Sequence, residues 1–256
     1  MAKGYYWMSD AEWARIEPLL PRGRKGAHRV DDRRVISGIV HMLRSGARWR
    51  DCPEVYGPYT TVYNRFNRWS RQGIWHGLFE ALTGHSGVHA GDGMVSIDAT
   101  HIKAHRSGGR RKRGAFAQGI GRSRGGWTSK LHGVADASGR PRVLLLSAGN
   151  TNDIAMAQAL VEAAGPARTL IADRGYDANH LRDLLAARGT AAVIPSTSSR
   201  RAPIPYDVEA YKARNLVERM WCRLKDWRRV ATRYDKLARN FLATAHLAAV
   251  FTYWLN

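Results

Sequence analysis

Apolar residues follow two different rhythms along this chain of 256 residues. Up to about residue 85 they recur every three to four positions, the period of helices with one buried side. "SDAE" at Ser9 to Glu12 has capping-box spacing and opens a helix that ends near Pro21. "DRRVISGIVHMLRSG" predicts a second helix from Asp32 to Ser45, closed by Gly46. "YTTVYNRFNRWSRQG" predicts a third, in which Val62, Phe66 and Trp69 fall at i, i+4 and i+7 and form a buried stripe. Its opposite face carries Asn64, Arg65, Asn67, Arg68 and Arg71. "GIWHGLFEALTG" makes a short closing helix.

"GHSGVHAGDG" at 84–93 is Gly-rich and polar and reads as a linker. From Met94 the rhythm becomes that of strands. "MVSIDAT" is a short apolar strand, and "GWTSKLHGVADASGRPRVLLLSAG" is two strands joined by a turn at Asp136 to Gly139. Helix "NDIAMAQALVEAAG", strand "RTLIADRGYD", helix "ANHLRDLLAARG" and strand "TAAVIPS" then alternate. "YKARNLVERMWCRLKDWRRVATRYDK" follows as a long helix. Three strands followed by alternating helix and strand describe a mixed sheet flanked by helices, the order of a ribonuclease H-like α/β fold. The expected organisation is a small all-α, helix-turn-helix-like domain at 1–85, a linker at 86–93, and an α/β domain at 94–256. A Gly/Arg-dense loop at about 106–126 is too polar to pack and reads as mobile.

Charge sharpens this picture. The chain carries 41 Lys+Arg against 21 Asp+Glu, a formal net charge of +20. A field that basic attracts polyanions, nucleic acid above all. The polar face of the third helix, with Asn64, Arg65, Arg68 and Arg71, suits a DNA groove or phosphate track. Cys52 and Cys222 are far apart and neither belongs to a CxxC pair, so zinc spacing is absent. The first residues lack the apolar run of a signal peptide, and no stretch of about 18 apolar residues suggests a membrane span. A reduced, cytoplasmic protein with no membrane partner is expected.

The candidate chemistry lies in three acids. Asp98 ends the apolar strand "VSIDAT" and Asp173 ends "LIADRGYD", and strand ends are where ligands collect in open α/β sheets. Glu218 stands on the long helix after the last strand, whose positions Tyr211, Arg214, Glu218 and Lys225 share about one-third of the helix circumference or less. Leu216, Val217, Met220 and Leu224 form a separate apolar face. Alone, Arg214 and Glu218 are an ordinary i,i+4 pair worth about 0.3–0.5 kcal/mol. Together with two strand-end aspartates, however, Glu218 completes the oxygen-donor set that two hard divalent ions, Mg²⁺ or Mn²⁺, need for phosphodiester chemistry.

Other polar residues have plainer readings. His101, Lys103 and His105 share one side of an extended segment, as a DNA contact or a solvated strand end. Lys130 and His132 on the next strand could face the same site as DNA contacts. Asp136 serves the turn, Asp153 reads as a helix cap or a partner of the helix macrodipole, and Asp177 reads as a helix cap. Trp127 and Trp221 are core residues or base-stacking ones.

At this point the chain resembles a DDE transposase of the bacterial insertion sequence five family. The group's signature Y-(2)-R-(3)-E-(6)-K is complete as Tyr211, Arg214, Glu218 and Lys225. "SIDATHIKAHR" resembles the first-aspartate motif and "ADRGYDA" the second; "GPYTTVYNRFNRWSRQGIW" resembles the N-terminal helical domain and "RYDKLARNF" the C-terminal end. The resemblance implies that Asp98, Asp173 and Glu218 are catalytic metal ligands for two Mg²⁺ or Mn²⁺ ions. It implies that Tyr211, Arg214 and Lys225, with Arg174, hold DNA phosphate. It further implies double-stranded DNA partners, namely element terminal inverted repeats and target DNA. A homodimer or larger assembly on DNA, and a nucleoid-associated location, belong to the same expectation. A nuclease that cuts without joining, and a DNA-binding protein without activity, are the alternatives.

Overall fold

The computed structural model describes residues 4–21, 31–84, 93–109 and 118–255. Residues 86–92 of the expected linker and 110–117 of the basic loop lie outside them. The chain divides into two compact units, 1–85 with 224–256 and 86–223.

The first unit opens with α1 (Asp10–Ile16), α2 (Asp32–Ser45), α3 (Tyr59–Arg71) and α4 (Ile74–Gly84). Ser9 caps α1 as the sequence predicts. Its hydroxyl accepts from the Glu12 amide, and the Glu12 carboxylate accepts from the Ser9 amide. Gly46 ends α2 in the left-handed region, at φ 73°, where a side chain would be strained. On α3 the stripe of Val62, Phe66 and Trp69 is buried as expected.

The second unit is the α/β one. Its elements are β1 (Met94–Ala104), α5 (Arg106–Gly109), β2 (Gly121–Ser123), β3 (Gly126–Ala135), β4 (Pro141–Ala148), α6 (Ile154–Ala164), β5 (Thr169–Ile171), α7 (Asn179–Ala187), β6 (Ala191–Val193), α8 (Val208–Tyr211) and α9 (Asn215–Lys225). The sheet runs β3–β1–β5–β6, with β4 and β2 both pairing with β3. β3 runs antiparallel to both β1 and β4, whereas β5 pairs parallel with β1 and β6 parallel with β5. That is the ribonuclease H-like order the sequence predicts. Between the sheet and helices α6 and α7 lies a core of Val95, Ile97, Val134, Leu160, Leu170, Leu181 and Leu185.

Register does the positioning. The last parallel pair between β1 and β5 is Ser96 with Ile171. Asp98 and Asp173 each follow two residues later, so both acids stand where the two strands part. On its other side Asp98 faces Gly133 of β3. A Cβ on Gly133 would lie 2.8 Å from the Trp221 ring and 3.1 Å from Met220 Cε. The missing side chain is what lets α9 close onto the sheet.

After α9, α10 (Arg228–Ala231) and α11 (Ala238–Ala249) return to the first unit. The sequence reading carried the α/β domain on to residue 256. The difference has a physical cause: α11 buries Phe241, Ala245, Leu247 and Ala248, and it packs on α2, α3 and α4.

Putting a methyl at Gly133 tests the role of this close approach. Gly133→Ala is expected to lose about 1–3 kcal/mol through overpacking against Trp221. The measurement is urea denaturation, and an unchanged midpoint would show that α9 has room to spare.

Candidate active site

The three acids meet at one guanidinium. Arg214 Nη1 lies 2.5 Å from Glu218 Oε1, while its Nη2 lies 3.7 Å from both Asp98 Oδ1 and Asp173 Oδ2. The short contact is a charge-assisted hydrogen bond; the two longer ones are ionic. The Arg214 side chain is 21% exposed, against 14% for Asp98, 39% for Asp173 and 53% for Glu218. A deep acid, a half-open one and an open one thus surround a mostly buried cation.

Each carboxylate has a local reason for its place. Asp173 caps the 3-10 turn Arg174–Tyr176, accepting from the Gly175 amide at 2.8 Å through Oδ1. That leaves Oδ2 for Arg214. Glu218 sits in the first turn of α9, whose Val217, Met220 and Trp221 are buried. Tyr211, partly buried, packs edge-on against Tyr206 with ring centres 5.5 Å apart. The sequence predicts one continuous helix from Tyr211. Instead α8 ends there, a 3-10 turn spans Lys212–Arg214, and α9 begins at Asn215. Arg214 therefore stands on a tightened turn just before the helix that carries its partner.

Lys225 ends α9, seven residues past Glu218 and so about 10 Å further along the axis. Arg174 is exposed. On α3, Asn64, Arg68 and Arg71 are exposed at i, i+4 and i+7 and form one polar stripe. Arg65 is not part of it. It is 5% exposed, ion-paired to Asp32, and its guanidinium stacks 4.8 Å over Trp69. It falls three residues after Val62 and four before Trp69, on the buried stripe itself, so it holds the fold and offers no contact to DNA.

Lys130 and His132 also depart from the expected role. They are 7% and 0% exposed. Lys130 Nζ donates to the Thr151 carbonyl at 2.8 Å and lies 3.0 Å from Asp153 Oδ1. His132 Nε2 is 2.7 Å from Ser147 Oγ, and its Nδ1 is 3.8 Å from Asp153 Oδ1. Burial pushes His132 down to about 4, so it is neutral at pH 7. Both face into the protein because β3 is covered on both sides. Asp153 does hold the N-cap position of α6, its carbonyl accepting from the Met156 amide, but its side chain makes no cap hydrogen bond. Asp177 is not the cap of α7: it binds Arg182, Arg200 and the Thr197 amide, and Ala178 holds the cap position. Asp136 does serve its turn, accepting from the Ser138 and Arg140 amides. Trp221 is core, whereas Trp127 is 49% exposed.

The sequence reading missed Tyr176. It is 1% exposed, and its hydroxyl has no hydrogen-bond partner. Burial above all raises its pKa, and the charges of Asp153, Asp98 and Asp173 add to that effect. The only signal in the chain was its position three residues after Asp173.

Hard oxygen donors of this kind suit Mg²⁺ or Mn²⁺. Among the described residues no three His, Cys, Asp or Glu side chains are gathered closely enough to enclose a cation as they stand. Arg214 supplies the positive charge at the centre of the cluster.

Burial, opposed by the Ala99 amide and Arg214, pushes Asp98 up to about 6 from the usual 3.8. Asp173 and Asp153 add to the rise. Folded protein then binds this proton more tightly than unfolded protein, so the group's contribution to stability falls as pH rises from about 4 to 6. At pH 7 and without divalent cation, Asp98→Asn is expected to stabilise the fold by on the order of 2 kcal/mol. The gain should vanish near pH 4. Thermal melts across that range check it, and a destabilised Asp98→Asn at pH 7 would overturn it.

Comparison with known proteins fits this geometry. Residues 89–253 match the family described as "Transposase DDE domain" and residues 8–79 match "Putative transposase of IS4/5 family". The "Putative transposase for insertion sequence element IS6501" of Brucella ovis is 34% identical over 130 residues, covering 50% of this chain and 99% of that protein. The "Putative transposase for insertion sequence element IS402" of Burkholderia cepacia is 34% identical over 121 residues, covering 43% of this chain and 55% of that protein. A family match across well over half of the sequence, joined to a sheet of ribonuclease H-like order, establishes that the chain belongs to the DDE transposases of insertion sequences.

Proposed function

We propose that Asp98, Asp173 and Glu218 are the catalytic carboxylates of this transposase and the residues that hold its divalent cations. The observation that carries the proposal is their convergence on the single guanidinium of Arg214. Three carboxylates that share one partner repel one another, and a positive charge among them offsets that repulsion. Arg214 fills that need in the absence of a cation. Two Mg²⁺ or Mn²⁺ ions, when bound, would supply the stronger charge that phosphodiester cleavage needs.

The chain's own residues then divide the work. Asp98, the deepest acid, and Asp173, with one oxygen fixed by the Gly175 amide, set the rigid side of the site. Glu218 closes it from α9. With its carboxylate partners engaged by bound cations, Arg214 would be free to grip a DNA phosphate with its planar fork. Tyr211, Lys225 and Arg174 contribute further backbone contacts. Asn64, Arg68 and Arg71 bind DNA through the exposed stripe of α3. The substrates are the inverted repeats at element ends and then target DNA. Two ends must be joined, so a homodimer or larger assembly on DNA is the working form. Among the described residues no helix is long and apolar enough to cross a membrane. The basic charge suits a nucleoid-associated site of action.

Labelled element-end DNA with Mg²⁺ tests the reading. Wild type is expected to give cleaved ends and joined products. Asp98→Asn, Asp173→Asn and Glu218→Gln should each lose on the order of a thousandfold in rate, since each removes several kcal/mol of charge stabilisation. Cleavage without joining would identify a nuclease. Binding without cleavage under any divalent cation would leave a DNA-binding protein.

A further inference from the structure

Asp177 closes the 3-10 turn that Asp173 opens, and its side chain is 0% exposed. Its Oδ1 accepts from Arg182 Nε and from Arg200 Nη2, each at 2.8 Å. Its Oδ2 accepts from Arg200 Nε at 2.6 Å and from the Thr197 amide at 2.7 Å. Arg200 thus grips the carboxylate with both prongs of its fork, a geometry that adds direction as well as strength.

Arg200 and Thr197 belong to a loop. Residues 194–207 join β6 to α8 with no helix or strand of their own. α8 packs on β6, so the loop leaves and returns at one place. The Ser196 hydroxyl accepts from the Ile204 amide at 2.8 Å and ties the two limbs together. The tip lies on Asp177. At the returning foot, Tyr206 packs edge-on against Tyr211 and the Asp207 side chain caps α8. A loop of this length without structure of its own is uncommon in a compact domain unless it has a function.

What the foot supports says what that function is. Tyr211 ends α8, a helix of four residues, too short to hold a place by its own backbone bonds. The 3-10 turn Lys212–Arg214 separates it from α9. The burial of Val217, Met220 and Trp221 therefore fixes Glu218 but does not by itself fix Tyr211.

We propose that Asp177 and Arg200 are positioning residues for the reaction: they pin the loop to the Asp173 turn, so that Tyr206 holds Tyr211 where it meets a DNA phosphate. The inference rests on the proposed reading of Tyr211 as a DNA contact. With the tip released, the loop regains conformational freedom and Tyr206 no longer stands in one place. A misplacement of about 1 Å is enough to slow a reaction on the order of a hundredfold, even when its cause lies away from the chemistry.

The test is a double-mutant cycle on the full chain, read as cleavage of labelled element-end DNA with Mg²⁺. Arg200→Met frees the loop and leaves Asp177 paired with Arg182. It is expected to slow cleavage about tenfold while melting well above the assay temperature. Tyr211→Ala should also slow cleavage, and adding Arg200→Met to it should slow it no further. A merely structural role would not show this coupling, because a general loosening of the fold multiplies with the loss of Tyr211. Tyr206→Leu cuts the last link without touching the buried carboxylate. The same loss and the same coupling are expected of it, and it decides the matter if Arg200→Met does not fold. A wild-type chain that cleaves nothing, or Tyr211→Ala that cleaves at the wild-type rate, defeats the reading of Tyr211 and this inference with it. Where Tyr211→Ala is slow, Arg200→Met within twofold of wild type, or losses that multiply in the double variant, overturn the clamp alone.

Discussion

The second unit is organised around one electrostatic constraint: three carboxylates stand close together and need a positive charge among them. Arg214 provides it, reaching Asp98, Asp173 and Glu218 from one side chain that is 79% shielded from solvent, as its 21% exposure implies. In water such pairs are worth little, but shielding lowers the local dielectric and raises the stakes. The arrangement is also a conflict. Burial pushes Asp98 toward its neutral form while Arg214 pulls it back, so the site is held in tension and not at a stability optimum. A stronger and more compact charge than a guanidinium would relieve that tension, which is the physical opening for a divalent cation.

The backbone meets this constraint with simple devices. Equal offsets from the last β1–β5 pair bring Asp98 and Asp173 to the same level, and a Gly opposite Asp98 lets α9 descend. The 3-10 turn at Lys212–Arg214 then puts the arginine just ahead of the helix that bears Glu218. None of these devices is costly by itself. Their joint effect is to fix acids from three distant stretches of sequence to within reach of one group.

The charge count needs a structural correction. A formal +20 suggests a uniformly basic exterior, yet several arginines are buried or engaged in ion pairs within the protein. Arg65 pairs with Asp32, Arg182 and Arg200 with Asp177, and Arg229 donates to the Ala47 carbonyl. Arg233 is fully buried, bonded to the Asp235 carbonyl and stacked over Phe241. Burial lowers its pKa only to about 10, so it stays charged at pH 7. These side chains brace loops and helix ends. The exposed Arg68 and Arg71 are the kind of residue left to meet a polyanion.

Local chemistry decides what a short stretch of sequence can show. The cap at Ser9, the stop at Gly46, the stripe of Val62, Phe66 and Trp69, and the turn held by Asp136 all depend on residues within a few positions of one another. For the same reason the strand order was legible from the alternation of apolar segments, and the spacing of Tyr211, Arg214, Glu218 and Lys225 pointed to the chemistry. Contacts between distant residues decided the rest. Whether Arg65 faces water or Asp32, whether the Asp153 carboxylate caps a helix or meets Lys130, and whether Asp177 starts α7 or clamps Arg200 all turn on partners 23 to 33 positions away in sequence. A helix period or strand alternation tells which side a residue is on. Only the packed structure settles what else is on that side, because burial makes an unpaired charge too costly to leave where local preference alone would put it.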